Sequence, residues 1–368
     1  MKPHVFLLLA IGLVTLPGSL VSQNAKLAEI NDAAAFLAGE ELPNRPEHPL
    51  TASVAWKQHV AQFGGDYAAH RDRVLIPMSE WSATEIQPRQ GAGGTVRYLF
   101  SGPDIVHAFH MFPSAETFIL CGLEPIGEAP DISALDEGNV SRALAEVRNA
   151  LGEIIQLSFF RTKDMKEDLQ FATFRGTTPL IMVFLAKSGQ YVKELEFLQL
   201  GKDGSLTSKG LDHVGANGVR MVFSPRRLEQ PRTLYYFSAD LSNGGFSTGG
   251  IGPWLATQPE GSAYLKAASF LMHDDWFSNV RDHLLAHSFQ IVQDDSGIPY
   301  RRFDVASWDA TLYGVYEGPI ELFQERYQAD LHSAYRVGSV PLPFGTGYKW
   351  RKGESNLMRF ARKGTATN

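Results

Sequence analysis

Three rhythms of apolar and polar positions run along the chain. The first is helical. Leu144, Val147, Leu151, Ile154 and Ile155 recur every three or four residues and predict a helix from Asn139, a residue able to cap it, to Leu157. Helical spacing also covers an Ala-rich stretch within residues 26–50, which ends at Pro43, Pro46 and Pro49, and then Trp56–Phe63 and Trp81–Ile86. The second rhythm is short and apolar. It predicts strands Thr95–Phe100 and Glu116–Leu123, with a turn at Ser101–Asp104, a helix Ile105–Phe112 and a break at Pro113 between them. Two strands joined through a helix predict a parallel pair.

From Pro179 to Asp240 the pattern becomes β-rich. Candidate strands are Leu180–Lys187, Tyr191–Leu200, Gly218–Ser224 and Thr233–Ala239, the first two joined as a hairpin at Ser188–Gln190. Helices follow at Ala263–Met272 and Asp275–Phe289, the latter with a stripe through Phe277, Val280, Leu284 and on to Ile291. A strand at Thr311–Glu317 and a helix at Glu321–Tyr335 come last. The predicted class is mixed α/β: a partly parallel sheet with an antiparallel section at 179–240 and helices on its faces. No segment richer in linker residues than 40–50 or 242–253 interrupts the chain, so residues 23–368 read as a single domain.

The third rhythm is an unbroken run. Lys2 precedes twelve apolar residues, Val5–Leu16, and Pro17, Gly18, Ser19 and Ser22 then supply a helix-breaking, small-residue end. This is the pattern of a secretory signal peptide over residues 1–22, with cleavage near Ser22. The run is too short for a bilayer-spanning helix, which needs about 20 residues, and no later run reaches that length, so no transmembrane anchor is expected. Cys121 is the only cysteine, which excludes an internal disulfide and leaves no cysteine near the cleavage site to carry a lipid anchor. It lies in an apolar stretch with no base nearby and reads as a core residue.

Composition narrows the function. A net charge of −6 gives no footprint for nucleic acid, and 44% hydrophobic residues fit a packed globule rather than a disordered chain. Six basic residues after Tyr348, set against Glu354, read as a solvated end.

Two turns carry candidate chemistry. Ser101-Gly102-Pro103-Asp104 leaves a predicted strand and opens a helix, where α/β sheets place ligands; free amides at the helix start and Gly102 would receive one, although Asp104 can equally serve as a helix cap. Its neighbours His107 and His110 lack a fourth ligand, and no metal or other cofactor is predicted. The second turn, Gln293 to Arg302, holds Asp294, Asp295, Tyr300 and Arg301, more polar groups than a bend needs. The two turns are expected to meet at one end of the sheet and form the principal pocket. Gly245-Phe-Ser247-Thr-Gly249 has the form of a nucleophile elbow but lacks the flanking strand and helix. Gly91-Ala-Gly93-Gly94 precedes its strand, whereas a dinucleotide loop follows one. His283 and His287 lack the glutamate of a zinc-protease helix.

The blocks Ser101–Asp104, Phe112-Pro113, Gly122–Gly127, Tyr235–Asn243, Ala268–His273 and Gln293–Arg301 resemble a family of exported bacterial proteins with no assigned activity. The resemblance implies a bacterial periplasmic or extracellular setting. It includes Asp104, Glu124, Asp240, His273, Asp295 and Arg301, but not His107, His110, His283 or His287. The expected function is a hydrolase-like enzyme acting on an envelope or extracellular small molecule, peptide or glycan. Asp104, Glu124, Asp240 and Asp295 would divide acid and base roles, and Ser101, Gly102, His273, Tyr300 and Arg301 would bind substrate. The alternative is a non-catalytic ligand-binding or envelope-assembly protein.

Overall fold

Three helices, α1 (Pro17–Ala38), α2 (Val54–His70) and α3 (Ile76–Glu85), precede the first strand of the computed structural model, which describes residues 17–86, 94–157, 174–227 and 230–364. The predicted signal run Val5–Leu16 and most of the Gln87–Gly94 loop lie outside the described residues. Pro17 is the first described residue of α1. Ser53 caps α2 by accepting from the Trp56 amide at 3.2 Å, and a single wide turn, Arg71–Leu75, links α2 to α3.

The predicted parallel pair follows. β1 (Thr95–Tyr98) and β2 (Thr117–Gly122) run side by side with Thr95 opposite Thr117, joined through α4 (Ile105–Met111). α5 (Val140–Leu157) begins one residue after Asn139, whose side chain accepts from the Asp136 amide at 2.9 Å instead of capping the helix. The segment Leu180–Lys187 corrects the reading: it belongs to a helix, α6 (Thr177–Lys187), and Ser188–Gln190 is a helix-to-strand turn instead of a hairpin. Every residue from Thr177 to Leu185 is buried, and a run apolar on all sides carries no period to separate helix from strand.

β3 (Gln190–Leu200), β4 (Leu206–Ser208), β5 (Gly218–Pro225) and β6 (Arg232–Ser238) form the expected antiparallel section. Two short helices, α7 (Asn243–Thr248) and α8 (Ile251–Ala256), occupy the Gly-rich segment. The predicted helix Ala263–Met272 is instead strand β7 (Gly261–Leu265) followed by a 3-10 turn, Ala267–His273. Five residues are too few to fix a period, and parallel pairing of Gly261–Ala263 with Thr95–Arg97 decides the conformation. α9 (Ser278–His287) then leads into β8 (Ser288–Gln293), which takes Ile291 out of the helical stripe.

β9 (Trp308–Gly314), α10 (Ala329–Val337) and β10 (Asn356–Arg362) complete the described elements. β10 is a third correction, since it lies in the tail read as solvated. Arg359 is 4% exposed there, its guanidinium donating to Glu85 O at 3.2 Å and Thr311 Oγ1 at 2.9 Å.

One ten-stranded sheet results, in the order β4-β3-β5-β6-β2-β1-β7-β8-β10-β9. The central β6-β2-β1-β7-β8 are parallel, and antiparallel strands extend both flanks. The helices α1 to α6 cover one face, packed on Val96, Tyr98, Phe118 and Leu120; α7 to α10 cover the other, packed on Leu99, Ile119, Cys121 and Ile291. Cys121 is fully buried and burial pushes its thiol up to about 12, in keeping with a core residue. No helix among the described residues is long and apolar enough to cross a membrane.

Candidate functional site at the carboxyl ends of the parallel strands

From β1 the parallel strands advance through β2 to β6 on one side, and then through β7 to β8 on the other. The connection to β2 uses α4 on one face of the sheet, and the connection to β8 uses α9 on the opposite face. The direction of winding therefore reverses between β1 and β7. In sheets of this kind, ligands bind in the crevice outside the carboxyl ends of the strands at that reversal. Backbone strain marks the same place. Among the described residues the two non-glycine residues with positive φ are Phe100 (+68°), just after β1, and Ala267 (+56°), just after β7. Such strain, about 1–3 kcal/mol each, persists where surrounding structure enforces it and concentrates at functional sites.

Below the crevice, on the face covered by α4, lies a closed polar network. Asp104 and Lys266 are each 1% exposed, with Lys266 Nζ 2.9 Å from Asp104 Oδ2. Tyr98 donates its hydroxyl to the same oxygen at 2.8 Å. Asp104 Oδ1 accepts from the His107 amide at 3.2 Å and from His107 Nδ1 at 2.8 Å. Burial opposes ionisation of Asp104, but His107 and Lys266 outweigh it and hold the carboxyl well below its usual range. An ionised carboxylate only accepts, so the His107 proton sits on Nδ1. Burial pulls His107 down despite Asp104, which keeps the ring neutral. His70 stands edge-on to it at 5.1 Å, burial having lowered its pKa to about 2.

Above the network and toward the other face, a cleft of about 100 Å³ opens. Phe100 and Phe277, with ring centroids 6.0 Å apart, form one wall; Leu123, Leu241, Ala268 and Leu271 supply further apolar lining. Glu124 is an acidic group lining it, 2% exposed and two residues past the end of β2. Tyr236 donates to Glu124 O at 2.9 Å and approaches Oε2 at 3.4 Å. The two glycines beside it are sterically required or favoured. A Cβ at Gly122 would sit 2.2 Å from Glu124 Oε2, and Gly102, at φ +53°, presents its backbone to the same carboxylate.

The predicted site residues divide between these two places and a third. Gly102, Glu124 and Asp240 line the cleft, but Asp240 is turned back on its own chain, accepting from the Ser242 amide at 2.8 Å and its hydroxyl at 2.7 Å. Asp104 is in the closed network. Ser101 donates its hydroxyl to Gly102 O at 2.9 Å. The expectation of free amides at this turn is corrected in part: the Ser101 and Gly102 amides go to Cys121 O, that of Asp104 to Ser101 O, that of Ile105 to Pro103 O and that of His107 to Asp104, while none of these bonds involves the Val106 amide.

The two polar turns do lie at the same end of the sheet, with β7 between them, and the Ala267 amide donates to Asp294 Oδ2 at 3.2 Å. They do not share the cleft. Asp295 is 8% exposed, accepts from Asn356 Nδ2 at 2.9 Å, and is pushed up to about 7 by burial and then by Asp294. His273 packs on Phe270 at 5.2 Å, its pKa lowered to about 4 by burial. The Tyr300 amide donates to Gln328 Oε1 at 2.7 Å, with its ring 6.0 Å from Phe360. Arg301 is exposed on the Tyr300–Arg302 turn, outside both the cleft and the network, so it forms no anion clamp there. His110 turns to Ser79 Oγ at 2.9 Å instead of joining His107.

Sequence reasoning missed Tyr98, Lys266, Phe100, Tyr236 and Phe277. Lys266 had a readable signal: it is the lone charge in Gly261–Met272, and a lysine inside such a run must be paired once buried. Phe100 and Tyr236 had none. No group of three or more His, Cys, Asp or Glu side chains placed to hold a metal occurs among the described residues. Comparison with models of known families and with curated proteins finds no match.

Proposed function

We propose that the protein binds a nucleoside-type ligand without phosphates, held at the reversal of winding between β1 and β7. The observation that carries this reading is Glu124 lining the cleft, just past the end of the strand after β1 and about twenty residues beyond Gly102. In nucleotide-binding α/β sheets an acidic residue at this separation takes the ribose hydroxyls. The wall of Phe100 and Phe277 suits a flat base. Such sheets hold phosphates with free amides at the first turn; here the Ser101, Gly102, Asp104, Ile105 and His107 amides are engaged within the chain, and Val106 is buried. The ligand arm directed at this turn is therefore uncharged or cationic, as in adenosine or an adenosyl sulfonium.

Two-carboxylate hydrolysis draws less support. Only Glu124 and Asp240 share the cleft, and Asp240 is held by Ser242. Calorimetric titration with adenosine, S-adenosylmethionine, NAD and ATP tests the reading. Binding of the first pair, weakened at least about tenfold by Glu124→Ala, supports it. Equal binding of NAD or ATP, or adenosine binding unaffected by Glu124→Ala, refutes it.

Export is proposed on Lys2, Val5–Leu16 and the small residues to Ser22. An exported protein meets its ligand outside the cytoplasm, which favours a free nucleoside or nucleoside conjugate over a cofactor recycled inside the cell. Cell fractionation with N-terminal sequencing checks this: a start near Gln23 in the exported fraction supports it, and an intact cytosolic chain overturns it.

A further inference from the structure

A second cavity lies at the far end of α4 from Asp104. Its volume of about 470 Å³ falls within the roughly 300–1,000 Å³ common for small-molecule sites. Glu40 just past α1, Gly64 and Tyr67 of α2, Arg71, Phe109 of α4 and Lys187 of α6 line it. Gly64 and Gly65 lie inside α2, where glycine is the least favourable residue after proline. Packing within the chain does not require them, since a Cβ at either would meet nothing within 4 Å. The missing side chain at Gly64 instead leaves the cavity open, as glycine does where backbone and ligand come close. α2 then gives way at Arg71 to the wide turn Arg71–Leu75, a geometry frequent at functional sites.

The charges are incompletely used. The Lys187 side chain is 6% exposed, with Nζ 2.7 Å from Glu40 Oε1 and 5.6 Å from the centroid of the Tyr67 ring. Among the described residues this is the only hydrogen bond that either charge makes. An ammonium has three N–H donors and a carboxylate about four acceptor sites, so each keeps capacity for a ligand. Arg71, by contrast, is met by Asp72 at 2.9 Å. The cavity thus offers one positive and one negative group side by side, with Tyr67 and Phe109 as apolar walls. A singly charged ligand would face its own sign at one of the two. A zwitterion meets each with its opposite.

We infer that this cavity binds a free α-amino acid with an apolar side chain, its carboxylate on Lys187, its ammonium on Glu40 and its side chain toward Tyr67 and Phe109. The site is separate from the cleft and independent of the nucleoside reading. Calorimetric titration compares L-phenylalanine with phenethylamine, which lacks the carboxylate, and 3-phenylpropionate, which lacks the ammonium. The amino acid should bind at least about tenfold tighter than either. Gly64→Leu fills the cavity with a better helix former, so it should weaken phenylalanine at least about tenfold while Tm holds or rises. Glu40 is 46% exposed, so Glu40→Gln leaves the fold intact. It should weaken phenylalanine by about the same factor and leave 3-phenylpropionate unchanged. No binding of phenylalanine, or an analogue that binds as tightly, overturns the inference. So does a phenylalanine affinity that survives either substitution. A sharp fall in Tm for Gly64→Leu would show that the space is not open, and overturns the site as well.

Discussion

The carboxyl end of β1 serves two regions built from similar parts, one closed and one open. On the closed side, Asp104 accepts four hydrogen bonds or charge contacts, from Tyr98, Lys266 and two His107 groups, and is sealed from water. On the open side, Glu124 is nearly as buried, yet its neighbours are two glycines, Tyr236 and an apolar cleft. Both are acids following parallel strands, and burial alone does not separate them. Their partners do. A carboxylate whose oxygens are satisfied by the fold stabilises the fold, whereas the one lining the cleft is the group we propose meets a ligand.

The closed side is broken most severely by Lys266→Met. Removing one member of a buried ion pair leaves an uncompensated charge and should cost about 3–5 kcal/mol, measured by urea denaturation. Adding Asp104→Asn to that variant should recover more than half of the loss; no recovery would show that the two do not act as a pair.

Asp295, in the third polar region, supplies a pH test of another closed carboxyl. Its carboxyl is pushed up to about 7 by burial and then by Asp294. A group raised in the folded state stabilises fully below its unfolded value, and that contribution is lost as pH rises through the folded one. Asp295→Asn keeps an acceptor for Asn356 and cannot ionise. Relative to the native protein it should therefore gain about 2 kcal/mol between pH 5 and pH 8, read from denaturation at each pH. A difference that does not change with pH would mean that Asp295 is not raised.

The open side should respond differently. Glu124→Gln keeps shape and removes charge, so stability should change by less than about 1 kcal/mol while adenosine affinity falls about tenfold, or about 1.4 kcal/mol. A large stability loss would place Glu124 with Asp104 as a structural acid. The smallest effect belongs to the strained backbone after β7. Ala267→Gly relieves a positive φ but frees the unfolded chain, and these nearly cancel to within about 1 kcal/mol. Ala267→Val, with a branched side chain at the same φ, should be clearly destabilising by thermal unfolding.

The β1–α4–β2 unit was legible because its period changes and its Ser101–Asp104 turn stand next to one another in sequence. The antiparallel section from β3 to β6 was legible apart from α6, whose uniformly apolar run is silent about period. β7 was not, and with it went the reversal of winding that defines the site: Gly261–Leu265 becomes a strand only by pairing with β1 from afar in the chain. The same limit hid the sorting of the acids. Asp104 and Glu124 were both singled out, but only spatial neighbours such as Lys266 and Phe277 assign one to the network and the other to the cleft.

β10 has a consequence for how the chain is made. The strand at Asn356–Arg362 fits between β8 and β9, so two segments synthesised earlier wait for it before their ladders can close. A chain lacking Asn356–Arg362 leaves β8 with one unpaired edge and β9 without its partner, a form exposed to self-association.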